Sequence, residues 1–255
     1  MVRDSTGLRD YLNVTGSFKD AFRDGTLRVY SLSQPTTADA AVTGTLLVEL
    51  SLASGAYTQG TTLSTKQVSQ TSITATGGAG DAVQLTVNGT LYSFVTAAGT
   101  IDAVAKSLAA LVDADPAVEA IATGGTSGTE ALVVMRARHA GVSFTAVASV
   151  TGAATMSAVE AYVANARGNG LQFGTSTAGV LSKESGVWSG VAVATGTAGW
   201  YRFVGRALDT GGISTTLVRS DGAIASSGSD MSMNTSVTNG APITVDSASF
   251  TRPAQ

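Results

Sequence analysis

His139 is the single histidine of the chain and the natural starting point in a search for chemistry. A hydrolytic site built on it needs a nucleophile and an orienting acid within hydrogen-bond reach. No Gly-x-Ser-x-Gly elbow accompanies it, and "RARHAG" sits between two apolar runs, so His139 is expected in a turn without a catalytic role. "GGAGDA", Gly77 to Ala82, has the glycine density of a phosphate loop. It lacks the Gly-Lys-Ser/Thr end of a P-loop and precedes a strand pattern rather than a helix, so it reads as a connection. Asp113 and Asp115 match half of a calcium loop, but the glycine and glutamate such a loop requires are missing; the end of a helix fits better. "NVT" at Asn13, "NGT" at Asn88 and "NTS" at Asn234 match the glycosylation pattern, and without a secretory leader they are expected to stay unmodified. The carboxylates fall into no pair that the sequence puts on one face, which leaves a glycosidase reading unsupported. With no cysteine there is no disulfide, thiolate metal site or cysteine nucleophile. The expectation is a protein that is not an enzyme, with no catalytic, cofactor-binding or metal-binding residue.

The aromatic residues pose a second question. "GVWSGVAVATGTAGWYRFVG" holds both tryptophans, Trp188 and Trp200, with Tyr201 and Phe203 beside the second. An exposed row of rings would suit stacking on sugars or bases. In a strand, however, Trp200, Arg202 and Val204 point one way while Tyr201, Phe203 and Gly205 point the other. Trp200 and Tyr201 therefore form no common platform. Trp188, Trp200, Tyr201 and Phe203 are expected to be packing residues, in the core or at a subunit contact.

Composition limits the partners. Charged residues make up 13% of the chain, against roughly 25% in ordinary soluble domains. The net charge is −3 and the longest basic cluster is "RARH", far from the dense cationic stripe that nucleic-acid binding requires. No run approaches the ~18 uncharged apolar residues of a membrane span, and charges interrupt the N-terminal residues where a signal peptide would need an apolar stretch. Neither nucleic acid nor membrane is an expected partner.

The elements that must position these residues can be read in order. Leu8, Tyr11 and Leu12 share a helical face behind a cap at Ser5 or Thr6, and Ser17 caps a second short turn carrying Phe18, Ala21 and Phe22. "DGTLRVYSL" and "GTLLVELSL" read as strands. From Thr61 to Gly168 the texture changes. "DAVQLTVNGTLYSFVT" is a hairpin about Asn88-Gly89, a pair suited to a type I′ turn. Ile101, Val104, Ala105, Leu108, Leu111 and Val112 recur at helical spacing, with Thr100 as cap and Pro116 as stop. "EALVVMRA" and "GVSFTAVASV" follow as two strands around a turn at His139–Gly141. From "GNGLQFG" onward the pattern is β again: "GWYRFVGRAL", two short strands around Ser220-Asp221-Gly222, and one closing strand, "APITVDSASFTRP", that ends at Pro253.

These readings predict a mainly β protein: an antiparallel β-sandwich built from residues 1–60 and 169–255, with a small α+β domain (ββαββ) at 61–168 inserted in a loop. Neither outer piece has enough strands to bury two faces alone, and exposed loops tolerate insertion.

"STGLRDYL", "DGTLRVYSLSQPTTADAAVTGTLL", "VWSGVAVATGTAGWYRFVG", "DTGG", "SDGAIASSGSDMSM" and "GAPITVDSASFTRPA", in this order, resemble a family of small tailed-bacteriophage virion proteins. The resemblance covers both outer pieces. Its members are shorter and run from the second strand almost directly into "NGLQFG". The block at 61–168 departs from that pattern and resembles a separate module, "GD…LTVNGT.Y.F", helix, "G…L…A", of phage tail and other structural proteins. The resemblance implies a non-enzymatic virion component without cofactors, assembled in the bacterial host cytoplasm as a symmetric homo-oligomer whose partners are major capsid or tail proteins. A head decoration or cement protein on the outer surface is the first expectation, a tail or head–tail junction protein the second, and a receptor- or carbohydrate-binding module the third.

Overall fold

The computed structural model describes residues 1–52, 57–61, 63–96, 99–124 and 130–251. The protein is mainly β, with 43% of the described residues in strands against 11% in helices, in several largely antiparallel sheets. It divides into two compact units, Met1–Leu63 with Gly168–Gln255, and Ser64–Arg167.

The first unit opens with β1 (Arg3–Asp4), α1 (Thr6–Val14), α2 (Phe18–Phe22), β2 (Thr26–Ser31) and β3 (Leu46–Leu50). The second contains β4 (Val68–Thr76), β5 (Ala82–Val87), β6 (Thr90–Val95), α3 (Ile101–Asp113), β7 (Val118–Gly124), β8 (Ala131–Ala137), β9 (Ala146–Val150), β10 (Ala154–Met156) and β11 (Glu160–Val163). The chain then completes the first unit with β12 (Phe173–Thr177), β13 (Val180–Lys183), β14 (Trp188–Val191), β15 (Gly196–Val204), β16 (Arg219–Ala225), β17 (Met231–Ser232), β18 (Ser236–Val237), β19 (Pro242–Val245) and β20 (Ser249–Thr251).

In the first unit the main sheet runs β1-β16-β15-β2-β3, and β17 and β18 extend it at β16 and β15. Its central strand is β15, paired with β16 on one side and β2 on the other. Smaller sheets are β12-β13-β20 and β14-β19; the latter reaches β3 through a bridge between Ser51 and Ser189. One hydrophobic core joins these parts. Leu27, Val29, Tyr201 and Phe203 of the main sheet meet Phe173, Trp188, Leu8 and Phe22, with Phe18 and Phe250 at its margin. The helices form where their caps allow. Ser5 accepts from the Leu8 N–H and Ser17 from the Asp20 N–H, each satisfying one of the amides a helix start leaves unpaired.

Two expectations for this unit change. Ser220-Asp221-Gly222 is no turn; it lies inside the continuous strand β16. Asp221 pairs with Arg202 directly across the ladder, and Gly222 lies where a Cβ would come within 2.3–2.5 Å of the Tyr201 ring. The turn-like residue types serve a salt bridge and a close ring approach. The closing segment is two strands, β19 and β20, in different sheets; its expected end at Pro253 lies outside the described residues.

The second unit has two sheets, β10-β4-β8-β7 with β11 beside β4, and β6-β5-β9. Helix α3 buries Val104, Ala105, Leu108, Ala109 and Val112 in one core with Ile73, Val83, Leu85, Val133 and Met135 of both sheets. Thr100 caps it by accepting from the Ala103 N–H. Asn88 and Gly89 have φ of 48° and 86°, the positive values a type I′ turn demands. The ββαββ order is incomplete, since β4, β7, β10 and β11 are further strands. β4 reads "VSQTSITAT", polar by type, yet Ser69 and Thr71 are buried, with the Thr71 hydroxyl donating to the Ser157 carbonyl. Strands β8 and β9, expected around one turn, do not pair with each other: β8 lies between β4 and β7, and β9 pairs with β5.

Because the second unit has its own core, residues 64–167 produced alone are expected to unfold in one cooperative transition. Circular dichroism and intrinsic fluorescence followed through a urea titration check this; non-coincident curves would contradict an autonomous core.

Candidate functional site

The chemistry-bearing side chains gather on one face of the main sheet, opposite the hydrophobic core. A single line of directly opposed residues crosses five strands: Arg3, Asp221, Arg202, Arg28 and Glu49. The Arg202 guanidinium meets Asp221 in a bidentate pair, both contacts at 2.7 Å, and both side chains are wholly buried. Arg219, two residues before Asp221, makes a second bidentate pair with Asp209, both contacts at 2.6 Å. Arg28 meets Glu49 at 2.8 Å and also donates to the Gln59 side chain and the Asp209 carbonyl. Arg28 and Arg202 are neighbours of like charge, and each turns to its own acid.

The guanidinium groups also bind backbone. Arg202 donates to the Ala40 carbonyl, Arg219 to the Gly212 carbonyl and Arg3 to the Pro35 carbonyl. The segments that cover this face are thus tied to the sheet by its arginines. Trp200 belongs to the same layer. Its ring stacks on Tyr30 at 4.5 Å, its indole N–H donates to the Thr43 carbonyl, and the Arg202 guanidinium lies 5.3 Å from its ring centre. Trp188, Tyr201 and Phe203 lie in the apolar core instead, with Trp188 edge-on to Phe173 and Phe203. All four rings are buried.

Electrostatics follow from burial and pairing. Burial raises the Asp209 carboxyl, but the Arg219 hydrogen bonds, the Gly211 N–H and the charges of Arg219 and Arg28 outweigh it and hold the group below its ordinary 3.8. At Asp221 burial prevails over Arg202 and the carboxyl is raised. Both carboxylates are occupied by guanidinium hydrogen bonds, which removes them as general bases.

The remaining candidates are engaged elsewhere. His139 lies half-buried in the turn after β8, its carbonyl accepting from the Val142 N–H. In "GGAGDA" the Asp81 carboxylate takes the amides an anion would seek, accepting from Gly78 and Ala153; these bonds lower its pKa. Asp113 accepts from the Ala120 N–H, and Asp115 from the Ala117 N–H and the Tyr92 hydroxyl, which secures the end of α3. Asn13, Asn88 and Asn234 are exposed; Asn88 and Asn234 accept from the backbone of Thr145 and Ser236. Among the described residues no three His, Cys, Asp or Glu side chains are grouped to hold a metal ion, and no helix is long and apolar enough to cross a membrane. A cleft of about 190 Å³ in the first unit is lined by Tyr11, Asp20, Arg206 and Thr216; ligand pockets typically hold about 300–1,000 Å³.

The buried ion pairs were missed from sequence because arginine and aspartate normally mark a surface. One signal was available: Arg28 and Arg202 each stand inside a strand with no other charged residue.

Fold and site together define a mainly β protein of two units, in the first of which a buried polar cluster ties strands and covering segments together. No protein-family model matches the chain, and no curated protein matches it.

Removing one member of a buried pair strands the other charge, at about 3–5 kcal/mol, whereas replacing both by apolar groups is often close to neutral. Arg202→Met is therefore expected to destabilise the chain by about that amount, and Arg202→Met with Asp221→Leu to recover most of the loss in chemical denaturation. For Asp209 the folded pKa lies below the unfolded one, so its contribution is full above the unfolded value and is lost as pH falls through the folded value. The stability deficit of Asp209→Asn should then be largest near neutrality and shrink below about pH 4. Denaturant midpoints across that range check it; a constant deficit would count against the ion pair.

Proposed function

We propose that the protein is a non-enzymatic structural component of a tailed-bacteriophage virion, a head decoration or cement protein present in symmetric copies on the outer surface. The observation that carries this reading is where the resembling segments fall. "STGLRDYL" supplies α1 and its cap, "DGTLRVYSLSQPTTADAAVTGTLL" supplies β2 and the start of β3, "VWSGVAVATGTAGWYRFVG" supplies β14 and β15, and "SDGAIASSGSDMSM" supplies β16 and β17. These segments contribute Arg28, Arg202 and Asp221, the stacked Tyr30 and Trp200, and the core rings Trp188, Tyr201 and Phe203. The resemblance thus coincides with the parts that build and lock the first unit. The second unit has its own core and is the natural carrier of an added contact.

Side-chain use supports the same reading. The buried carboxylates, arginines and tryptophans of the described residues are engaged in ion pairs, hydrogen bonds and packing, as suits a protein that must hold its shape. In a particle the repeated element is one interface used many times, and a weakly charged surface favours such contacts.

Labelling an affinity-tagged copy of the chain in purified particles tests the reading. Regularly arranged label on the head is the expected result. Label confined to the tail moves the protein to the tail or head–tail junction, and particles free of the chain overturn the proposal.

A further inference from the structure

Sheet edges carry unpaired N–H and C=O groups, and proteins usually protect them with charge, proline or bulges. Most edges here are protected. On β7, Glu119 lies 3.5 Å from both Lys66 and Arg136. Strands β11 and β12 have register shifts, and β19 begins with Pro242. Strand β6 has none of these devices. Its 6 residues, "TLYSFV", pair in continuous register with β5 and carry no charge.

The open side of β6 can be identified. The Thr96 N–H bonds to the Asp81 carbonyl, and on the far side of β5 the Ala82 carbonyl takes the Thr151 N–H while the Asn88 N–H goes to the Thr145 carbonyl. Antiparallel alternation then turns the backbone of Thr90, Tyr92 and Phe94 toward β5 and leaves that of Leu91, Ser93 and Val95 on the edge. The side-chain order Leu-Tyr-Ser-Phe-Val is a palindrome of types about Ser93. Leu91 and Val95 are 56% and 59% exposed, and Tyr92 and Phe94 are half-buried on the inner face.

We propose that β6 is a self-association edge, pairing antiparallel with β6 of a second copy about a two-fold axis at Ser93. This register sets Leu91 opposite Val95 and Ser93 opposite Ser93, the residues whose backbone groups are free. It brings Tyr92 against Phe94 on the inner face, so hydrogen bonding and side-chain matching select the same register. Strand β9, "AVASV", is the other unprotected edge of this sheet, but a two-fold about its centre puts Val147 opposite Ser149. An edge about 20 Å long buries well under the ~800 Å² per partner of a standard interface. The pairing is therefore concentration-dependent, and strong where copies are already held close together. It deepens the reading of a symmetric assembly by naming one of its contacts.

The chain has no cysteine, so introduced thiols report without background. Opposed residues of a hydrogen-bonded antiparallel pair lie ~5.5 Å apart at Cα, within disulfide range. Under mild oxidation the full-length Ser93→Cys chain is expected to form a covalent dimer at least about tenfold faster than Ser149→Cys, an exposed control on β9, because pairing raises the effective thiol concentration. Leu91→Lys added to Ser93→Cys should suppress the dimer, and Val95→Glu added to both should restore it, since position 91 faces position 95 of the other copy. Equal cross-linking of the two cysteine variants, or indifference to Leu91→Lys, overturns the proposal. Because the assay uses the purified chain, its failure removes this contact and leaves the virion reading intact, while absence of the chain from particles does the reverse.

Discussion

The Arg202–Asp221 pair is the contact on which the first unit turns. Both side chains are fully buried, on the two strands at the heart of the main sheet. A buried charge is tolerated only when paired and hydrogen-bonded, so the pair constrains everything around it. The strands must hold this register, because a slip of one residue would carry each charge into the apolar core on the other face. The covering segments bring carbonyls to part of the remaining guanidinium surface, Ala40 for Arg202 and Gly212 for Arg219. Arg28 and Arg219, with Glu49 and Asp209, extend the same requirement outward.

The alternation of β15 makes this possible. Tyr201 and Phe203 enter the hydrophobic core, and Trp200 and Arg202 enter the ionic layer. The main sheet is thus buried on both faces, by two different kinds of packing. The apolar face supplies the bulk of stabilisation through area removed from water. The ionic face contributes less net energy, since desolvation offsets attraction, but it is directional and fixes which strands sit side by side. The second unit adds a surface with its own core and its own strand edges.

Much of the fold was legible in the chain. The caps at Ser5, Ser17 and Thr100, the α3 pattern and the Asn88-Gly89 turn depend on residues a few positions apart, so local sequence specifies them. The alternation of "GWYRFVG" likewise fixed which side chains share a face. Other features were invisible. β4 is polar by type, and its burial follows from strands far along the chain. Asp221-Gly222 has turn chemistry by composition, yet lies within a strand because Arg202 and the Tyr201 ring await it.

What the sequence determined by itself, then, is the three helices with their caps, the Asn88-Gly89 turn, and the division of side chains between the two faces of a strand such as β15. These are short-range properties set by backbone sterics and hydrogen bonding within a few residues. The tertiary structure alone decided which strands are neighbours, and therefore that Arg202 meets Asp221, that Trp200 stacks on Tyr30, and that β8 and β9 belong to different sheets. Pairing joins residues distant in the chain, and an arginine's type is the same in water and in a buried ion pair. Only the partner brought opposite it by the fold distinguishes the two.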